Sequence, residues 1–266
     1  MKDINILKSP DQNAIVKIEK GELIGYQYDN EELMHQKGSP GWGNTDTEMF
    51  PVIGPTTANN NRISTKKGKG IQDQHGFLRE LEYELMKNSE NSAVYQKTYK
   101  ANTKIKNSNF SNKSKEEFVF WPFDFSFQKH FELTNDKLTI LFELNSEKGM
   151  PFMLGYHPAF KLSGNKNEYC LVAGKKITVQ DVIDKGGPSF PFFDLEEISL
   201  IKEKGYHVKV KCRGFKNMML WTEFDNMICI EPITQYPDVV NQKYSEKDLR
   251  ISSGKDKFKI EIEPYI

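Results

Sequence analysis

Residues 118–133 read FVFWPFDFSFQKHFEL, and the alternation in this stretch decides the class of the fold. Aromatic residues alternate there with smaller or polar ones, with one interruption at Pro122; the alternating phenylalanines include Phe118, Phe120, Phe123, Phe125 and Phe127. Successive side chains of a β-strand point to opposite faces, so a period of two residues indicates strands. The stretch therefore predicts β-structure with one apolar face.

The same alternation, or a short apolar run between turn residues, recurs along most of the chain. Further strands are predicted at residues 14–29 (two strands around a turn at Lys20-Gly21), 137–145, 175–181, 206–214, 218–224 and 258–266. The pattern contains no long amphipathic helix, and SEKDL (245–249) predicts one helical turn at most. Many strands without crossover helices predict antiparallel sheets packed as a β-sandwich. We expect an all-β chain that forms a single domain over residues 1–266.

Composition excludes several classes of partner and location. Lys plus Arg (37) equals Asp plus Glu (37), so nothing favours nucleic acid or an anionic membrane as a partner. No stretch approaches the roughly 20 apolar residues of a membrane span. The first residues, MKDINILKSPDQNA, are too polar for a secretory signal, so we expect a cytoplasmic protein.

The cysteines predict neither disulfides nor a metal centre. There are 3, Cys170, Cys212 and Cys229, and no two of them form a CxxC pair. A disulfide framework or a zinc site normally shows an even number or a characteristic spacing. We expect three reduced cysteines and no metal.

Two apolar runs each carry one ionisable side chain beside a proline. Residues 150–160, MPFMLGYHPAF, contain His157, and residues 227–232, MICIEP, contain Glu231. A histidine titrates near neutral pH, and a carboxylate in an apolar run is costly to bury unpaired. Taken alone, a structural histidine and an acid facing water at a strand end explain the two residues equally well. Taken together, they offer an acid and a base for a small polar substrate.

Three further residues could anchor such a substrate. His75 and Arg79 share the segment HGFLR, and Arg62 follows three asparagines in ANNNRI. The donors of an arginine suit vicinal hydroxyls or an anion, although each of these residues, taken singly, is more typical of a protein surface. No glycine-rich loop precedes a helix and no GxSxG segment occurs, so nucleotide binding and a serine nucleophile are disfavoured.

Taken in order, these segments resemble the aldose 1-epimerase (galactose mutarotase-like) family, nearest its LacX-type branch. The resemblance covers nearly the whole chain. The four motifs from ANNNRI onward occur in the family's order and at its distances. The segments that carry it are ELMHQKGSPGW (32–42) with MFPVIGPT (49–56), ANNNRI (58–63), QHGFLREL (74–81), GYHPAF (155–160) and WTEFDNMICIEP (221–232).

The resemblance implies a supersandwich of antiparallel sheets with a sugar in a cleft on one concave sheet. His157 would be the general acid on the ring oxygen, and Glu231 the general base on the C1 hydroxyl. His75 would hold the ring-oxygen side. Asn61, Arg62 and Arg79 would bind sugar hydroxyls. No cofactor is implied, and the expected partner is a small sugar bound by a monomer or homodimer.

Departures from the family pattern leave the substrate more open than the reaction. Gly155-Tyr156 stands where the branch usually has two glycines, and Gly54-Pro55 where the family has Gly-Arg. Two alternatives to an aldose mutarotase therefore stay open. A hexose-6-phosphate mutarotase would use a basic cluster, for which Lys66, Lys67 and Lys69 are candidates. A sugar-binding or sensing protein would bind sugar on the same fold without catalysis.

Overall fold

The computed structural model describes residues 4–165, 167–237, 239 and 241–266. The strands are β1 (Ile4–Lys8), β2 (Ala14–Glu19), β3 (Glu22–Tyr28), β4 (Glu31–Glu32), β5 (Glu48–Met49), β6 (Arg62–Thr65), β7 (Gly68–Ile71), β8 (Glu84–Asn88), β9 (Ser92–Tyr99), β10 (Ile105–Lys106), β11 (Phe118–Val119), β12 (Phe125–Leu133), β13 (Leu138–Ser146), β14 (Pro151–Phe152), β15 (Gly155–Tyr156), β16 (Ala159–Lys161), β17 (Tyr169–Val172), β18 (Lys175–Thr178), β19 (Phe190–Phe193), β20 (Glu197–Ile201), β21 (His207–Arg213), β22 (Asn217–Trp221), β23 (Met227–Ile233), β24 (Arg250–Ile251) and β25 (Lys255–Tyr265). The helical segments are α1 (Val179–Lys185) and 3₁₀ turns at Thr57–Asn59, Leu78–Glu80 and Glu246–Asp248.

Two large sheets hold most of the strands. A 9-stranded sheet has the order β18-β17-β20-β21-β25-β13-β12-β9-β8, and a second sheet has the order β19-β22-β23-β15-β5 with β16 also paired to β23. A 4-stranded sheet of β1 to β4 and three 2-stranded pairs complete the fold. The strand pairs of both large sheets are antiparallel. The predicted all-β antiparallel architecture is confirmed.

The core follows from the alternation that predicted the strands. In β12 every second residue is buried, from Phe125 to Leu133, and in β13 the same holds from Leu138 to Leu144. The two buried rows face the same side because β12 and β13 pair in register, with Phe127 opposite Leu144. One buried position in the β12 row is polar: Lys129, which is completely enclosed.

Of the strand predicted at residues 175–181, only the first four residues form a strand. β18 ends at Thr178, and α1 begins at the next residue. Thr178 accepts a hydrogen bond from the Asp181 backbone, and the Asp181 side chain accepts one from the Thr178 backbone. This reciprocal capping box starts a helix in spite of the β-branched residues before it. The predicted turn at SEKDL is present as the 3₁₀ segment Glu246–Asp248.

Two smaller expectations also have structural outcomes. All three cysteines are buried and free of disulfide bonds. No helix in the described part of the chain is long and apolar enough to cross a membrane.

Candidate active site

The pairing of β15 and β16 with β23 places His157 opposite Glu231. Gly155 pairs with Ile233, and Ala159 pairs with Cys229, so the residue between them on each strand falls in the same rung. The His157 Nε2 atom lies 3.4 Å from Glu231 Oε1. Residues 74 positions apart in the chain therefore form one contact because antiparallel pairing aligns their side chains.

Both members of this pair are almost completely buried. His157 is 6% exposed and Glu231 1% exposed, so of the two alternatives for Glu231 the acid facing water at a strand end is wrong. Glu231 lies inside β23, where each residue is buried. His157 Nδ1 and both oxygens of Glu231 have no hydrogen-bond partner among the described residues. Buried polar atoms without partners are rare in proteins, and a catalytic role is one of the explanations for them.

His75 lies next to the pair on a strained turn. Its φ is 68°, in the left-handed region, and its ring centroid is 5.8 Å from that of His157. The Nδ1 atom of His75 lies 2.7 Å from the Ile53 carbonyl oxygen, which requires Nδ1 to carry the proton. The Nε2 atom of neutral His75 is consequently an acceptor.

Burial shifts the proton affinities of all three side chains towards their neutral forms. It raises the pKa of Glu231 well above its ordinary value. It lowers the pKa of His157 well below its ordinary value, and the neighbouring His75 adds to the effect. Burial also lowers the pKa of His75 to about 4. Burial therefore favours the neutral form of both His157 and Glu231.

Trp42 covers the pair from the side of the 37–47 loop. Its ring centroid is 4.3 Å from that of His157 at an interplanar angle of 30°, and Trp221 contacts His157 edge-on at 5.7 Å. The loop is attached at several points. His35 Nε2 lies 2.8 Å from the Trp42 carbonyl oxygen, and the Trp42 N–H donates to Met227 Sδ.

A large cavity opens beside His75, while His157 and Glu231 do not line it. It has a volume of about 980 Å³, at the upper end of the range for small-molecule sites, and Trp42, His75 and Arg79 belong to its lining. Tyrosine and charged side chains form much of the remaining wall. His75 and Trp42 line the cavity and also contact His157, so these two side chains connect the cavity with the pair.

The structure brings together only part of the predicted site. Arg79 shares the cavity wall with His75 and donates from Nη2 to the Gln74 carbonyl at 3.1 Å. Asn61 is buried, and its amide donates to Thr56 Oγ1 and to the Gln72 carbonyl, both at 3.2 Å. Arg62 has a side chain 45% exposed and lies 3.6 Å from Glu116 Oε1. Asn61 and Arg62 are absent from the cavity lining, so their role in binding stays a prediction.

Cys229 joins the acid–base pair on the same face of β23. One possible ligand atom from each of His157, Cys229 and Glu231 lies within 4.8 Å of the other two. Nitrogen, sulfur and carboxylate ligands suit a thiophilic divalent cation such as zinc. The sequence signal for this cluster is the two-residue spacing of Cys229 and Glu231, which places both side chains on one face of a strand. A search for CxxC pairs does not detect that spacing.

Sequence reasoning also missed a charged group under the cavity. Lys129 takes a buried position in the apolar row of β12, and Lys97 does the same in β9, SAVYQKTY. A lysine in phase with a buried row is a readable signal, because lysine is almost never fully buried without a partner. The partners of Lys129 are Asp46 and Glu48.

Comparison with known proteins gives one family and one fold. A sequence model described as aldose 1-epimerase matches residues 54–255. No curated protein sequence matches the chain. Among solved structures, a galactose mutarotase-like protein from Lactobacillus casei is similar with a TM-score of 0.78 at 16% identity, covering 98% of this chain and 100% of that one.

Two other solved structures have the same fold. A galactose mutarotase related enzyme from Lactobacillus acidophilus has a TM-score of 0.74 at 17% identity, with 99% and 97% of the two chains covered. A galactose 1-epimerase from Lactobacillus acidophilus NCFM has a TM-score of 0.62 at 12% identity, with 100% and 99% covered. These similarities confirm the predicted galactose mutarotase-like fold, while the LacX-type branch stays a prediction.

Proposed function

Because the chain belongs to the aldose 1-epimerase family, we propose that it is a mutarotase that interconverts the α and β anomers of an aldose. The observation that carries the proposal is the contact of 3.4 Å between His157 Nε2 and Glu231 Oε1, both buried. An acid and a base that serve one anomeric carbon have to be neighbours, since the ring oxygen and the C1 hydroxyl that they reach are bonded to the same atom.

The reaction needs only proton transfer and rotation about one bond. His157 gives a proton to the ring oxygen while Glu231 takes the proton of the C1 hydroxyl, and the C1–O bond of the ring breaks to leave an open-chain aldehyde. The aldehyde turns about the C1–C2 bond. Glu231 then returns its proton to the carbonyl oxygen, His157 takes back the proton of the hydroxyl, and the ring closes on the opposite face. Both residues end as they began.

For this sequence to begin, His157 has to be protonated and Glu231 has to be ionised. Burial favours the neutral form of each residue, in which the proton is on Glu231. A proton shift across the 3.4 Å contact gives an ion pair with the acid and base in place. Sugar hydroxyls that donate to Glu231 would stabilise its charge, as buried carboxylates require. We infer that sugar binding and activation of the pair occur together.

The ring of Trp42 bears on sugar binding at this pair. Because Trp42 packs against His157 at a centroid distance of 4.3 Å, a sugar whose C1 reaches His157 would lie beside this ring. Tryptophan rings stack well on apolar faces, so Trp42 would contact one face of the sugar. His75, with Nδ1 held by Ile53, would present Nε2 to a hydroxyl.

The phosphorylated alternative has less support from the molecule. Lys67, which was a candidate for a phosphate-binding cluster, lies 2.6 Å from Glu147, and Arg62 faces Glu116. Paired surface cations provide little net positive potential for an anion. The free aldose is the better substrate hypothesis.

Anomer exchange measured on several aldoses and on their 6-phosphates tests the proposal. Exchange spectroscopy by NMR, or polarimetry on a freshly dissolved single anomer, should show acceleration in proportion to enzyme concentration for at least one free aldose. Sugar binding without any acceleration would instead indicate the non-catalytic sensor. Faster exchange of every 6-phosphate than of its parent sugar would favour the phosphate alternative.

A further inference from the structure

The cavity beside His75 has a charged wall that the acid–base steps do not use. Asp46, Glu48 and Lys97 line it, although their side chains are at most 5% exposed. Charges buried to this degree cost free energy that an apolar side chain would not, so stability alone does not explain them. Buried, interacting charges beside a cleft are typical of functional sites.

Lys129 fixes the two acids as anions. Its ammonium nitrogen lies 2.7 Å from Asp46 Oδ2 and 2.7 Å from Glu48 Oε1, and it does not line the cavity. Burial disfavours the charge of Lys129, but the two carboxylates outweigh burial and raise its pKa. Burial raises the pKa of Asp46 only to about 6, and Lys129 holds the pKa of Glu48 below its ordinary value. Both acids are thus ionised at neutral pH.

The same short segment positions both the acids and His157. The Thr47 carbonyl accepts the His157 N–H at 2.9 Å, and the Thr45 carbonyl accepts the Ala159 N–H at 2.8 Å. Asp46 and Glu48 alternate with these threonines along the segment, and both reach Lys129. The distance between the charged wall and the acid–base pair is consequently set by backbone hydrogen bonds.

Lys97 adds a hydrogen-bond donor to the wall. Its ammonium group donates to the Leu78 carbonyl at 2.8 Å and lies 4.1 Å from the ring centroid of Tyr83. Burial lowers the pKa of Lys97 to about 8, so it remains mostly cationic at neutral pH. Carboxylates accept hydrogen bonds and an ammonium group donates them, and a sugar hydroxyl can do both.

We propose that Asp46, Glu48 and Lys97 form a subsite for the sugar hydroxyls remote from C1, and that this subsite selects an uncharged aldose over its phosphate ester. The subsite rests on the proposed function in one respect, since it takes C1 to lie at His157 and Glu231. A phosphate ester is disfavoured because the cavity lining has 6 acidic against 5 Lys or Arg side chains and so no excess of cations. Lys129 pairs with the two acids of the wall and offsets their charge, so the wall offers no net positive charge that would attract a phosphate dianion.

Two substitutions test the subsite from its acceptor side and its donor side. Glu48→Gln keeps the size of the side chain and removes its charge, while Lys97→Met removes the donor without removing a partner of Lys129. The matched control is Glu84→Gln, on the exposed strand β8. For each variant, KM and kcat of anomer exchange are measured on glucose, on galactose and mannose, each of which differs from glucose at one hydroxyl, and on glucose 6-phosphate.

We expect KM to rise by about tenfold or more in Glu48→Gln and Lys97→Met, as for the loss of a hydrogen bond to a charged group. We expect kcat to fall by less than about threefold, since the acid–base pair is untouched. The rise should differ among the three sugars, which a general loss of stability would not produce. Glu84→Gln should behave as wild type.

Wild-type KM values for all three sugars in folded Lys97→Met protein would overturn the subsite even if Glu48→Gln failed to fold. So would a lower KM for glucose 6-phosphate than for glucose. If the wild-type protein accelerates no exchange, the proposed function fails, and sugar binding measured by ligand-observed NMR still tests the subsite. Equal binding of the sugars by wild type and Lys97→Met would then refute it.

Discussion

Replacement of either His157 or Glu231 by a side chain that cannot transfer a proton should abolish most of the activity. The losses from the two replacements should not add. Each of His157→Asn and Glu231→Gln takes away a positioned acid or base, which typically contributes about 10²–10⁴-fold to the rate. This corresponds to about 2.7–5.4 kcal/mol of transition-state stabilisation, at about 1.36 kcal/mol for each factor of ten. Independent action would make the double variant slower by the product, about 10⁴–10⁸-fold.

The geometry predicts a different result for the double variant. His157 and Glu231 lie 3.4 Å apart and carry out the two halves of one proposed proton transfer, so either substitution already disables that transfer. Groups that act as a unit show strongly non-additive effects. We therefore expect the double variant to be no more than about tenfold slower than the slower single variant.

Stability should move in the opposite direction to activity. Glu231 is 1% exposed and its oxygens have no hydrogen-bond partner, so Glu231→Gln breaks no contact that holds the fold. Because burial raises the folded-state pKa of Glu231, the carboxyl group destabilises the folded protein increasingly as pH rises above about 4.3, the value for an exposed glutamate. The Tm of Glu231→Gln should equal or exceed that of wild type at neutral pH, and the difference should shrink towards pH 4.

Polarimetry or NMR exchange gives the rates, and thermal unfolding gives the Tm. The matched control is Glu168→Gln, since Glu168 is also 1% exposed but accepts the Ser163 N–H at 2.8 Å, away from the candidate site. That variant should keep wild-type exchange. Near-wild-type exchange in either His157→Asn or Glu231→Gln would refute the mechanism. A double variant slowed by the product of the two single losses would show that the two residues do not act as a unit.

Three further outcomes are expected. The acidic limb of the pH profile of kcat/KM should lie below the ordinary range of a histidine, and the basic limb above the ordinary range of a carboxylate, because burial lowers the pKa of His157 and raises that of Glu231; an acidic limb with its midpoint at pH 6.5 would contradict this. Arg62→Ala should change KM by less than about threefold on an aldose and on its 6-phosphate, since Arg62 is ion-paired at the surface; a tenfold rise would support its predicted binding role. Added Zn²⁺ should inhibit exchange through His157, Cys229 and Glu231, and Cys229→Ser should weaken inhibition at least about tenfold while it keeps exchange activity; equal inhibition of the variant would exclude the cluster.

The sheet class and the two central site residues were predictable because local pattern carries them. A period of two residues in 118–133 predicts the strand Phe125–Leu133 without any knowledge of its neighbours. His157 and Glu231 stand out because each interrupts an apolar run beside a proline. Their contact was expected from the chemistry of a single anomeric carbon, and the resemblance to a family supplied their roles.

What pattern could not provide is the environment of those residues. Whether Glu231 lies at a strand end or within a strand depends on where β22 and β15 pair with β23, which is a non-local property. Its burial decides the direction of its pKa shift, so the electrostatics of the site follow from tertiary pairing. The helix α1 was missed for the opposite reason. A local capping box at Thr178 and Asp181 competes with β-branched neighbours, and side-chain hydrogen bonds determine the result.

Lys129 shows how a departure from pattern can itself be informative. In β12 a lysine stands where the alternation calls for an apolar residue, and in β9 Lys97 does the same. Each departure predicts a buried counter-charge, since an unpaired buried ammonium group would lose its proton or unfold the strand. The position of that counter-charge is not readable from the strand, because Asp46 and Glu48 come from a polar segment 83 and 81 residues earlier in the chain. The Thr47 carbonyl of that segment also accepts the N–H of His157. Lys129 therefore links the large sheet to the segment that positions the proposed general acid.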